Sequence, residues 1–106
     1  MAVYKNITTN ANDHITTLIQ KNGTHSGGIS KISICNNDSL QAENISVYIE
    51  DEATTKFYMI KNVDIPVGVT LVLDDVTSFD SRRNSLNIVT NKDSGTGAPD
   101  VSVIVK

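Results

Sequence analysis

Along much of the chain, apolar side chains alternate with polar ones. The cleanest stretch is Glu43 to Glu50, where Ile45, Val47 and Ile49 share one face and Asn44, Ser46 and Tyr48 share the other. A period of two is what a half-buried strand imposes. The same spacing joins Val69, Leu71 and Leu73, then Leu86 and Ile88, then Val101, Val103 and Val105. No 3.6-residue period is sustained, so no amphipathic helix is predicted. The pattern predicts eight strands: Val3 to Thr8, His14 to Gln20, Ile29 to Asn36, Glu43 to Glu50, Lys56 to Val63, Val69 to Asp74, Ser85 to Thr90 and Asp100 to Val105. Residues that favour turns separate them, among them Asn22 to Gly28, Asn36 to Ser39 and Ile65-Pro66-Val67-Gly68. Pro cannot donate to a ladder and Gly permits a positive φ. The acidic tip Glu50 to Thr54 reads as a hairpin loop. Val76 to Arg83 fits a loop, a short edge strand or a helical turn, and Gln41 to Asn44 fits irregular structure as well as strand.

Composition supports strands. Val and Ile number 23, against 10 for Ala and Leu. Branched side chains lose rotamer freedom in helices and pack well on a pleated surface. Asn, Ser and Thr add 32 residues suited to turns, caps and strand faces. Short strands at regular spacing, separated by turn signals, define an all-β sandwich or barrel. The expectation is one domain over residues 1–106, an antiparallel β-sandwich of about seven or eight strands, Ig-like or jelly-roll-like. Residues 1–13 are read as an extended N-terminal arm.

Charge removes several function classes. The chain carries 9 basic and 12 acidic side chains, net −3, with the basic ones scattered. Nucleic-acid binding needs a basic patch or stripe, so it is not expected. No apolar run approaches the roughly 20 residues of a membrane helix, so no membrane partner is expected. The first ten residues contain no apolar signal core. Cys35 is alone, so neither an internal disulfide nor a cysteine zinc cluster is expected. Synthesis in a reducing cytoplasm is the expectation. The glycosylation sequons at Asn6, Asn22, Asn37 and Asn44 are then read as chance in an Asn- and Thr-rich chain.

Few groups suggest chemistry. Nucleophilic catalysis needs a nucleophile beside a base, and the histidines are His14 and His25 only. Cys35 with His25 makes a pair only if the fold joins them. The plainer reading is a small buried thiol and a solvated loop imidazole. Asp74, Asp75 and Asp80, and Glu50, Asp51 and Glu52, supply paired carboxylates. Glycosidases need those within a cleft, and sugar platforms are scarce here, with no Trp and five other aromatics. Loop tips and a charged edge that resists sheet pairing explain these acids. Asp93 to Gly97 is rich in oxygen but lacks the helical calcium-loop pattern. Gly95-x-Gly97 lacks the third Gly and the following helix of a phosphate-binding turn. No catalytic residue, cofactor or metal ligand is therefore assigned. Tyr4, Tyr48, Tyr58, Arg82 and Arg83 are the interface candidates. Tyrosines are enriched at interfaces, although Tyr48 and Tyr58 fit second-face packing equally well. Arg82-Arg83 suits a salt bridge to a neighbouring subunit or a solvated turn.

One ordered pattern is more specific. Ile32-Ser33-Ile34-Cys35-Asn36-Asn37 precedes Ile45-Ser46-Val47-Tyr48-Ile49. Then comes Phe57 to Leu73 with its Ile-Pro-x-Gly corner, and finally Asn84-Ser85-Leu86-Asn87-Ile88. Over about Ile29 to Lys106 this resembles small β-sandwich virion proteins of tailed bacteriophages. The resemblance implies a non-enzymatic structural protein of a virion, made in the host bacterial cytoplasm. It would serve as a capsid decoration (cement) protein or a neck or tail accessory. Its partners would be other copies of itself and other virion proteins. No site residues come with the resemblance. The alternative is a carbohydrate- or receptor-binding sandwich module with a surface glycan as ligand.

Overall fold

The computed structural model describes residues 3–8, 14–22, 28–39, 41–74, 79–92 and 99–106. Its strands are β1 (Val3–Ile7), β2 (His14–Ile19), β3 (Ile32–Asn36), β4 (Glu43–Glu50), β5 (Lys56–Ile65), β6 (Thr70–Leu73), β7 (Ser85–Lys92) and β8 (Val101–Val105). All eight predicted strands are present. Among the described residues there is no helix.

The strands form two four-stranded sheets, ordered β1-β8-β3-β6 and β2-β7-β4-β5, with every described pairing antiparallel. The pairings nest. β4 pairs with β5, β3 with β6, β2 with β7 and β1 with β8. The chain is thus one long hairpin, closed at residues 51–55 and rolled so that alternate strand pairs lie in opposite sheets. That is a jelly roll, which settles the choice between the two expected sandwich types.

The alternation places the core. Ile32, Ile34, Ile45, Val47, Leu86, Ile88, Val101, Val103 and Val105 are essentially inaccessible and form one cluster between the sheets. Phe79 closes that cluster from the segment where sequence left three options open. Residues 75–78 lie outside the described part, and residues 80–84 form a turn held by Arg83 N and Asn84 N, both donating to the Asp80 carbonyl.

Two expectations change. The arm expected over residues 1–13 is, where described, a strand: Val3–Ile7 runs antiparallel to β8. Val3 and Ile7 fall on the inner face opposite Val105 and Val101, and burying them holds the segment in the sheet. Cys35 is not a core thiol. It sits half-buried on the outer face of its sheet, between Ser102 and Thr70, because the inner positions of β3 fall to Ile32, Ile34 and Asn36.

The sheet edges carry features that discourage pairing with another strand. Lys5 points inward on edge strand β1, across from Val103, and remains exposed. β2 is irregular between Thr17 and Ile19. β5 breaks register twice against β4. At one break Asn62 takes a φ of 54°, and its N–H donates to Ser46 Oγ at 2.9 Å. Bulges of this kind twist an edge away from a partner.

Candidate functional site

Both ends of the sandwich are tied by polar contacts. At one end Asn36 is wholly buried. Its Nδ2 donates to the carbonyls of Ile65 (2.9 Å) and Gln41 (3.0 Å), and its Oδ1 accepts from Asp38 N (2.9 Å). Its backbone donates to Val69 O and accepts from Gly68 N. The expected corner at Ile65-Pro66-Val67-Gly68 is a turn here: Val69 N donates to Pro66 O, and Gly68 has a φ of 74°. This is the positive φ that the third residue of a type II turn requires.

At the other end Asn22 N donates to Ser81 O at 2.7 Å. Lys21 Nζ meets Glu50 Oε2 at 3.2 Å. Arg82 Nε lies 3.1 Å from Asp80 Oδ1, and Arg83 Nε lies 3.8 Å from Glu52 Oε1. Both arginines therefore already face acids of their own chain. Those pairs are exposed and worth little stability. The Arg82 side chain holds the Asp80 carboxyl below the usual carboxylate range.

The outer faces differ. That of β2-β7-β4-β5 is polar and charged. Thr17 donates to Asn87 Oδ1 and Asn87 Nδ2 to Ser85 Oγ, each at 2.9 Å. Asn44 Nδ2 donates to Asp64 Oδ1 at 2.9 Å. Tyr48 and Tyr58 stand opposite each other, ring centroids 5.3 Å apart. Lys56 Nζ lies 5.1 Å from the Tyr48 ring centre and Lys61 Nζ 4.8 Å from that of Tyr58. Tyr48 is only 3% accessible even though it faces outward, because these neighbours cover it.

Burial pushes the Tyr48 phenol up, with Glu50 and Tyr58 adding to the rise and Lys56 opposing it. A phenol raised in the fold stabilises the protein below the unfolded value of about 10 and withdraws that stability as pH climbs past it. Tyr48 should therefore ionise above about 10, with stability falling in that alkaline window. Ultraviolet titration near the phenolate band, comparing the chain with Tyr48→Phe, checks this. A Tyr48 signal at or below the ordinary value would refute it.

The outer face of β1-β8-β3-β6 is different. Register aligns Tyr4, Ile104, Ser33 and Val72 in one row, and Asn6, Ser102, Cys35 and Thr70 in the next. None of these eight outward side chains is charged, in a chain that is 20% charged overall. Tyr4 is 71% accessible and Val72 47%. Asn37 Nδ2 donates to Ser102 Oγ at 2.6 Å.

The five interface candidates therefore form no single patch. Tyr48 and Tyr58 meet on one outer face, Tyr4 lies on the opposite one, and Arg82 and Arg83 sit on an end loop. His14 is half-buried at the start of β2, opposite Thr90. His25, Asp75 and Asp93 to Gly97 lie outside the described residues. Sequence reasoning missed the uncharged face. Its outward positions were legible strand by strand, but only the pairing register places them side by side.

The architecture at this point is an eight-stranded jelly roll, a form used by viral capsid domains, lectins and cupins alike. No protein-family model matches the chain. No curated protein sequence matches it either. Among solved structures, it is similar over 98% of its length to 32% of a chain of the infectious bursal disease virus VP2 subviral particle, at 15% identity and a TM-score of 0.43. It is similar over the same 98% to 31% of a chain of T=1 particles derived from infectious bursal virus, at 14% identity and a TM-score of 0.45. The chain spans about a third of the length of each. A likeness at that level carries no function across.

Proposed function

We propose that this protein is a non-enzymatic structural component of a virion, contacting symmetrically arranged neighbours. In the finer form of the proposal it is a capsid decoration protein or a neck or tail accessory of a tailed bacteriophage. It is made in the host cytoplasm and ends in the particle. The observation that carries the reading is the uncharged outer face of β1-β8-β3-β6. Interface cores are depleted of charge and enriched in tyrosine, and Tyr4 lies in that face with Ile104 and Val72. Guarded sheet edges leave faces and ends as the surfaces for contact.

A glycan-binding module is the competing reading, and the Tyr48–Tyr58 pair is the feature it needs. Lys56 and Lys61 already lie over those rings, so a sugar stacking on that side competes with two ammonium groups. Asn87 is likewise already hydrogen-bonded to Thr17 and Ser85.

Peptide mass spectrometry with copy counting on purified particles from the source culture tests the proposal. Copies in proportion to the major head protein support decoration. A few copies, in a small symmetric multiple, support the neck or tail. Absence from particles ends the virion reading.

A further inference from the structure

We infer that the uncharged outer face of β1-β8-β3-β6 binds the same face of a second copy, with the two sheets antiparallel end to end. This deepens the virion reading by naming a partner and a surface, and it rests on that reading only for its biological setting. The face is bounded by opposite charges. Continuing the outward alternation, Asp100 lies beyond Ser102 at one end, while Lys31 and Lys106 lie beyond Ser33 and Ile104 at the other. Lys31 and Lys106 are exposed, and their backbones pair directly. Asp74, opposite Lys31 in the continued register, shares this end, so its side chains count two lysines against one aspartate.

A two-fold axis across the strands sets Asp100 of each copy against the other's lysine end, twice per pair. An axis along the strands would instead set lysine end on lysine end, which like-charge repulsion disfavours. The antiparallel arrangement leaves no charge in the middle, where desolvating one would cost most. The strands concerned are four or five residues long. Four such strands about 4.8 Å apart cover roughly 300 Å². A standard stable interface buries about 800 Å² per partner. The pair is therefore weak in free solution and gains from repetition on an array, where each contact is made at high effective concentration.

Sedimentation velocity up to about 1 mM reads the association. Cys35, within the face, gives an independent readout through its alkylation rate. The wild type should sediment faster at high concentration, and Cys35 should react more slowly there. Tyr4→Arg, at a position already exposed, should abolish both effects. Asp100→Lys should weaken association roughly tenfold or more, and adding Lys31→Asp should restore it. A chain that stays monomeric throughout overturns the inference, as does association that ignores Tyr4→Arg or is not rescued by the double swap. A monomer still found in particles would sink this inference and leave the virion reading intact.

Discussion

Replacing Asn36 with alanine should lower the unfolding free energy by about 3 kcal/mol, seen as a lower urea midpoint with an unchanged slope. The side chain is wholly buried and makes three hydrogen bonds, two donated and one accepted. Its removal leaves the carbonyls of Ile65 and Gln41 and the N–H of Asp38 without that partner. A buried polar group left unsatisfied costs about 1–3 kcal/mol. Water entering beside the end loops recovers part of the sum. In a domain of this size, 3 kcal/mol lowers Tm by roughly 10–20 °C. Asn36→Asp sharpens the test, because it keeps the shape while replacing the donor with a charged oxygen aimed at two carbonyl oxygens. It should be at least as damaging near neutral pH. A loss below about 1 kcal/mol for the alanine variant would show that Asn36 does not hold this end together.

Ile88→Ala should cost about 3–4 kcal/mol, because it empties the middle of the core. Ile88 is inaccessible and central in its sheet, between Thr16 on β2 and Val47 on β4. The loss combines the transfer free energy of the deleted carbons with the cavity they leave. Leu71→Ala is the control. Leu71 is only half-buried on edge strand β6, where neighbours and water can fill the gap, and about 1 kcal/mol is expected. Chemical denaturation of both variants checks the gradient. Equal losses would mean that burial does not rank these positions.

Strand existence was legible because the period of two is enforced locally. Glu43 to Glu50 was predicted at its observed bounds, with Ile45, Val47 and Ile49 inside and Tyr48 outside, as found. Elsewhere the bounds moved. The third strand begins at Ile32 instead of Ile29, since Ser30 and Lys31 bond the backbone of Lys106 instead. Beyond the hairpin of β4 and β5, which strands pair was not legible, because partners up to about a hundred positions apart leave no local trace. The candidate site suffered for the same reason. Tyr48 and Tyr58 were recognised as flanking one hairpin, and the hairpin does bring them together. Residue type alone suggests a core position for Cys35, whereas its place between inward Ile34 and Asn36 sends it outward. The uncharged face draws on four strands that are scattered along the chain.

The nesting has a consequence for biosynthesis. β8, at the far end of the chain, lies between β1 and β3 and hydrogen-bonds to both. Until Val101–Val105 emerges from the ribosome, β1 has no neighbour in its sheet, and β3 has only the short β6. The hairpin of β4 and β5 can form early, but half of the sandwich waits for the last strand to be inserted at its centre. The sheet of β1, β3 and β6 therefore cannot close before β8 is available, and a chain cut short ahead of Val101 exposes its inner isoleucines and valines to aggregation or proteolysis.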